Sequence, residues 1–584
     1  MKNKNLKFAL CSVFATLALL VSAFTSGPAF AQGVSPRSGG GGVTVSAIKG
    51  HAPTAVSHTM NLHSLPVAKS KLATAATGHR ASPLIVSPRL AQAKKNSNRK
   101  APAARATSSP AAASAAQPAA AGSSGFQGMA DSASICPYFG GCQPPDMALA
   151  TSPTLVLQGV NTSYAFYNTS GQLVAGPIND AAWYGVPPLP NNCDPAGPFL
   201  SDPRAFYDPN TGLFWTATLQ VEAAAFGVGG NCPTLSKYWV ATINMKTGVM
   251  HVYSFDMTLG GTLNDGADYT QFGFSGSTIS FTGNMFNLTS GNYDFAETQF
   301  ANKASMEQGL PVTPAAFTQL AAGGVLLDTV QPVETETTSA NDPGVQYLVN
   351  SFNINGDPFG NDCLFTACQG FIVWAFDPAS QSLSGTFVGA GVPNPTYIVP
   401  PNADEPGCFQ CVETIDARIT GTPLYSVGGG QGLISFSLDT GVSNGGAIFP
   451  NIVPGILWGQ IQVVHGVGFV LANLAQSGYL SFTGDRAASF GAMMQDKNGR
   501  LFMVFDTMSA NLNPSIMIAS RGASDPLGSI GNVRFIVQGP SATFDSRWGD
   551  YEAASYTGFS SNHVWVASQY SVAGDWNTFI ERVS

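Results

Sequence analysis

From Asp131 to the C-terminus, short runs of Val, Ile, Phe, Tyr, Trp and Thr alternate with clusters of Gly, Pro, Asn and Asp. That alternation predicts many short strands joined by turns rather than amphipathic helices. One segment departs from it: "VTPAAFTQLAAGG", residues 312–324, ends in glycines and has the spacing of a helix.

The strands recur in a fixed order. Segments starting at Asp202 ("DPRAFYDPNTGLFWTATLQ"), Asp268, Glu334, Asp416, Ala487 and Asp550 each give a short first strand, a turn and a more apolar second strand. A shorter match starts at Asp146. Anchors at Leu155, Trp215, Ile279, Tyr347, Tyr425, Phe502 and Trp565 lie 60, 64, 68, 78, 77 and 63 residues apart. Repeats of this length, each with several strands, predict blades. The predicted fold class is all-β: a β-propeller of seven four-stranded blades over residues 131–584, with six or eight as the neighbouring counts. Two β-sandwiches would also alternate, but would not repeat one strand order at near-constant spacing.

The N-terminus changes the picture from sheet to export. Lys2, Lys4 and Lys7 precede an apolar run that ends at Ala29-Phe30-Ala31, which predicts a signal peptide over residues 1–31. Residues 32–130 carry 11 Lys or Arg and no acid, and they are rich in Ala, Pro, Ser and Gly. Such a segment buries too little apolar surface to offset chain entropy, so a disordered basic linker is expected. Its charge suits an anionic cell envelope, DNA or the acidic remainder of the chain. From Asp131 onward 12 basic residues face 34 acidic ones, a net charge of −22, which argues against nucleic acid as a partner of the body. A secreted or cell-surface location and a monomer are expected.

Eight cysteines remain after Cys11. In an oxidising compartment an even number predicts disulfides, and proximity suggests Cys136 with Cys142, Cys193 with Cys232, Cys363 with Cys368, and Cys408 with Cys411, although about 105 connectivities exist. "CFQC" at 408–411 lacks a thioredoxin-like context or a second CxxC, so a structural bridge is preferred to a redox or metal pair. No metal site and no cofactor is expected. The oxygen-rich "NINGDPFGND", residues 353–362, is the candidate segment for a structural calcium ion, although its order is not that of an EF-hand.

"DPRAFYDPNTGLFWTATL", "LVLQGVNTSYAFYNTSGQLVAGP" and "RWGDYEAAS" with "HVWVASQY" resemble a group of exported bacterial propeller-like proteins carrying D-P-x-x-x-Y-D and W-G-D-Y motifs. The resemblance spans about residues 140–584 and implies the fold, but no settled activity. The sialidase Asp-box is absent, and "GVSNG" at 441 opens no helix, so it is not a nucleophile elbow.

First strands line a propeller's channel, so the polar residues at their starts converge. The candidate ligand-binding residues are therefore Asp202, Arg204, Asp268, Glu334, Asp416, Arg418, Arg547, Trp548, Asp550 and Tyr551, with Glu336 and Glu552 in the same ring. Asp202 with Arg204, and Asp416 with Arg418, lie two apart and are expected to share a strand face. A structural reading pairs these groups across blades. The functional readings are a binding module for a glycan or protein, a glycosidase or lyase using the carboxylates and arginines, and a structural or adhesive exoprotein.

Overall fold

Seven antiparallel meanders follow one another along the chain of this computed structural model. The first runs Ala148–Thr151, Leu155–Val160, Ser163–Asn168 and Leu173–Asn179. The second is Leu200–Asp208, Leu213–Glu222, Leu235–Ile243 and Val249–Asp256, and the third Asp265–Phe274, Thr278–Asn287, Tyr293–Asn302 and Ala315–Ala322. Gln331–Pro332, Gln346–Ser351, Phe371–Asp377 and Ser382–Val388 make the fourth; Leu424–Gly428, Gln431–Ser443, Ile452–Gly466 and Phe469–Leu480 the fifth. The sixth is Ala487–Gln495, Leu501–Ser509, Leu512–Arg521 and Gly531–Val537, and the seventh Ala553–Tyr556, Val564–Val572 and Asp575–Val583. The structure describes residues 43–67, 80–81, 88–101, 124–132, 135, 142–194, 197–223, 231–335, 341–352, 368–389, 395–428, 430–443, 452–543, 547–558 and 561–584.

The fold is a β-propeller, with a correction to the expected seven separate blades. Among the described residues, five meanders are separate four- or five-stranded sheets. The third and fifth are fused into one eleven-stranded sheet through Glu334–Thr335, which pairs in parallel with Phe274 on one side and with Leu424 and Tyr425 on the other. Apolar residues pack between neighbouring sheets. Trp215, Tyr238 and Phe281 fill one such layer and Tyr347, Phe371 and Phe436 another. Each such side chain contributes about 1.5–3 kcal/mol on burial.

The described parts of residues 32–130 are ordered, contrary to the expected disordered linker. Val45–His51 pairs with Ala315–Ala322, and Val56–Asn61 with Val249–Asp256. Ser124–Ala130 pairs with Asp575–Val583 as the fourth strand of the last sheet. The composition argument fails here because an added edge strand needs no core of its own: its backbone joins an existing ladder and one face packs. Phe126 shows this, its ring centroid 5.3 Å from that of Tyr167 and 6.1 Å from that of Trp565. Pro88–Lys100 forms a helix, named α1 here.

Two further expectations are corrected. The segment 312–324 is not helical; Ala315–Ala322 is a strand held between Tyr293–Asn302 and Val45–His51, and pairing on both sides overrides its alanine-rich composition. Tyr425 was expected on a second strand, as the other six anchors are. It lies instead on the first strand of the fifth meander, where the second is Gln431–Ser443.

Candidate functional site

Three first strands contain the same irregularity. Pairing register shifts between Ser201 and Arg204, between Asp268 and Gln271, and between Ser489 and Ala492. Inside each bulge one non-glycine residue takes a left-handed conformation: Asp202 at φ 58°, Tyr269 at 51° and Phe490 at 58°. Asp146 (45°), Thr329 (46°) and Ile415 (39°) do the same at the starts of the first, fourth and fifth meanders. A bulge turns its N–H out of the ladder, and that donor needs a partner.

The partner comes from the neighbouring sheet. Asn161 Oδ1 accepts from Asp202 N at 2.8 Å, Asn284 Oδ1 from Thr329 N at 2.7 Å, and Asp439 takes Phe490 N on both carboxylate oxygens at 2.9 and 3.0 Å. Elsewhere Asp202 Oδ2 accepts from Thr270 N at 3.1 Å, and Asp146 Oδ1 from Asp550 N at 3.0 Å. Gln331 Nε2 donates to the Ile419 carbonyl at 2.6 Å, and Trp548 Nε1 to Asp506 Oδ2 at 2.6 Å. Together these bonds bridge every pair of successive meanders around the ring. Much of the polar channel is therefore structural, and Asn161, Asn284, Asp439 and Asp506 were missed because they sit on second strands or, for Asn161, in the turn just after one.

The predicted residues fall into distinct environments. Asp416 and Arg418 pair through two bonds, Nε to Oδ1 at 2.7 Å and Nη2 to Oδ2 at 2.5 Å, but across a bend ahead of Leu424–Gly428 and not along the expected strand face. Asp202 and Arg204 do not pair, because the bulge breaks the two-residue alternation. Arg204 instead lies flat on Tyr551, 3.2 Å from the ring centroid, while Arg418 covers Tyr269 at 4.3 Å. Arg547 Nη2 donates to Asp550 Oδ2 at 2.8 Å. Trp548 and Tyr551 are buried, and the Tyr551 hydroxyl donates to the Pro203 carbonyl at 3.0 Å, so neither ring is free to stack on a ligand.

Arg204, Glu334, Thr422 and Glu552 line a channel cavity of about 20 Å³, together with Met147, Phe206, Phe272 and Met493. That is room for a water molecule, not for a sugar. Glu336, the expected calcium loop at 353–362, Cys136, Cys363 and the signal peptide lie outside the described residues.

Electrostatics single out the end of the channel where the first strands begin, the mouth. Burial, with Asp550 and Asp202 nearby, holds Asp146 well above the usual carboxylate range. Burial followed by Asp550 lifts Asp202 to about 6. Asp268 is pushed up to about 8 by burial, then by Asp202 and Asp550, against the opposing pull of Arg418 and Arg547. Asp268 differs from its neighbours in being only half-buried and in having a carboxylate that makes no hydrogen bond among the described residues, although its backbone pairs with Asn284. Deeper in, burial raises Asp506 to about 7, and burial with Asp506 nearby holds Glu552 well above the usual carboxylate range.

Beside the mouth sits α1. Ser97 Oγ donates to the Val399 carbonyl at 2.6 Å, Asn402 N to Asn98 Oδ1 at 2.7 Å, and Gln410 Nε2 to the Asn98 carbonyl at 2.6 Å. Lys94 of the same helix forms an ion pair with Glu413 at 3.2 Å. The hairpin Ala403–Glu405 and Cys408–Val412 presents Gln410, and the Cys408–Cys411 disulfide closes it. Glu405 lies near both sulfurs, which are engaged with each other. Cys193 and Cys232 are bonded, as expected from proximity. Cys368 is also disulfide-bonded. Among the described residues no helix is long and apolar enough to cross a membrane.

No family model and no curated protein matches the chain. Similar solved structures include the WD40 domain of SCAP from fission yeast, at 10% identity and TM-score 0.30, covering 75% of this chain and 85% of that one. Phage phi92 endosialidase aligns at 9% identity and TM-score 0.35, over 79% and 69%. An exo-beta-1,3-galactanase from Phanerochaete chrysosporium aligns at 10% and 0.27, over 78% and 96%. Likenesses this remote carry no substrate or activity to this chain.

Proposed function

We propose that this protein is an exported binding propeller whose ligand docks at the channel mouth. The observation that supports it is Asp268: half-buried, its carboxylate without a hydrogen bond among the described residues, and within the fields of Asp202, Asp550, Arg418 and Arg547. Groups that only close the ring are consumed by the ring, as Asp439 and Asn284 are; Asp268 is not. A ligand there is polar and hydrogen-bonding, because the nearby aromatic faces are already covered by arginines. The test is an array of soluble glycans and peptides probed with the full chain and with Asp268→Ala. The reading predicts specific binding that the variant loses; retained binding in the variant would move the site elsewhere.

A hydrolase is the second reading, favoured by the same residue. A carboxyl raised to about 8 is an acid at neutral pH, ready to protonate a leaving oxygen. Against it, Asp416 and Asp550 are tied to arginines, while Asp146 and Asp202 accept backbone N–H groups. Turnover of chromogenic glycosides that Asp268→Asn abolishes would favour hydrolysis over binding alone.

A further inference from the structure

The Lys94 ammonium sits in a receptor made wholly by the propeller. Its side chain is 11% exposed. Nζ lies 3.2 Å from Glu413 Oε1 and 2.8 Å from Thr414 Oγ1, and it also donates to the Ile415 carbonyl. Three acceptors thus meet the three N–H bonds of an ammonium. They come from consecutive residues whose backbone turns at Ile415, φ 39°, one of the mouth positions with left-handed geometry. Asp416 and Asp439 add attraction at longer range, while Arg547 acts on Glu413 and Arg418 is paired with Asp416. The helix has separate anchors in Ser97 and Asn98, so the pocket is not needed merely to end a helix. Lys94 occupies it as a guest would.

We propose that Glu413, Thr414 and the Ile415 carbonyl form a primary-ammonium site, filled in cis by Lys94 and open in trans to an alkylammonium group that displaces α1. The trans group is a lysine side chain or a free diamine; both present the same chemistry. The inference rests on the reading of the mouth as the ligand site, and it names the ligand class. A guanidinium or quaternary ammonium cannot supply three converging N–H bonds from one nitrogen.

Chemical rescue tests it in the full chain. In Lys94→Ala, amide exchange over Ser97–Lys100 is expected to accelerate at least about tenfold, the helix having lost its inserted group. Ethylammonium should restore protection along a saturating curve, and tetramethylammonium should not. Adding Glu413→Gln should abolish the rescue. If Lys94→Ala does not fold, Lys94→Met keeps the stem and takes its place. Absence of saturable rescue by every primary amine, in a chain whose sheet amides exchange normally, overturns the proposal. Comparison of cadaverine with Nα-acetyl-lysine methylamide separates the sources, the one saturating at lower concentration marking the natural guest. Rescue without any hit on the array leaves the ammonium site standing and removes the binding-module reading. An array hit lost in Asp268→Ala, without rescue, does the reverse.

Discussion

Replacing Asp439 by alanine removes one complete link of the inter-sheet ring. Asp439 is fully buried, and both of its oxygens accept the Phe490 N–H, which the left-handed backbone at Phe490 has turned out of its own ladder. Alanine leaves that donor without a partner, at about 1–3 kcal/mol, and adds a small cavity worth about 1 kcal/mol more. The total is about 2–4 kcal/mol. Asparagine keeps an acceptor oxygen at the same reach, as Asn161 and Asn284 do at two other junctions. Burial already pushes the Asp439 carboxyl well above its usual range, so a neutral amide gives up little there, and Asp439→Asn should cost under about 1 kcal/mol. Urea unfolding followed by tryptophan fluorescence reads the difference. With a slope of about 3 kcal/mol/M, Asp439→Ala lowers the midpoint by roughly 1 M and Asp439→Asn by much less. Equal shifts for the two variants, or an alanine shift below about 0.2 M, would refute the claim that the acceptor holds the ring.

Other consequences follow from the same contacts. Asp202, Asp268 and Asp506 have folded values of about 6, 8 and 7 against an ordinary 3.8. Between pH about 4 and 8 the folded state therefore binds more protons than the unfolded one, so stability falls as pH rises through that window; melting temperatures that climb toward pH 8 would contradict the assignment. Phe126→Ala should destabilise the chain by about 2–3 kcal/mol, since the ring is half-buried between Tyr167 and Trp565; an unchanged urea midpoint would mean that Ser124–Ala130 does not close the last sheet. Cys408→Ser with Cys411→Ser should raise amide exchange in α1 and leave sheet amides alone, because Gln410 on that hairpin holds the Asn98 carbonyl; uniform exchange changes would place the disulfide in global stability instead.

Strand alternation and repeat spacing made the propeller legible, because each sheet buries its own apolar residues in a local meander. Asp416 with Arg418 was legible as a pair from its two-residue spacing, although the two sit in a bend ahead of Leu424–Gly428 and not on a strand. Asp202 with Arg204 has the same spacing, but a bulge rotates one relative to the other, and nothing in "SDPRAF" announces it. Asn161, Asn284 and Asp439 were hidden because their partners are backbone N–H groups of the next sheet, which carry no residue identity. The basic segment was misjudged since composition reports on forming a core, not on joining an edge. Ala315–Ala322 is the converse case: its own residues lean to helix, and its neighbours decide.

Competition at the mouth is the most direct test of the account, which holds that a ligand site there is closed in cis by Lys94. Amide exchange over Ser97–Lys100 is measured in the wild-type full chain while cadaverine or Nα-acetyl-lysine methylamide is titrated in at constant ionic strength. The account predicts a saturable rise in exchange confined to α1, absent with tetramethylammonium and absent in Glu413→Gln. Exchange that stays flat up to high amine concentration, or rises equally with every salt, would contradict it.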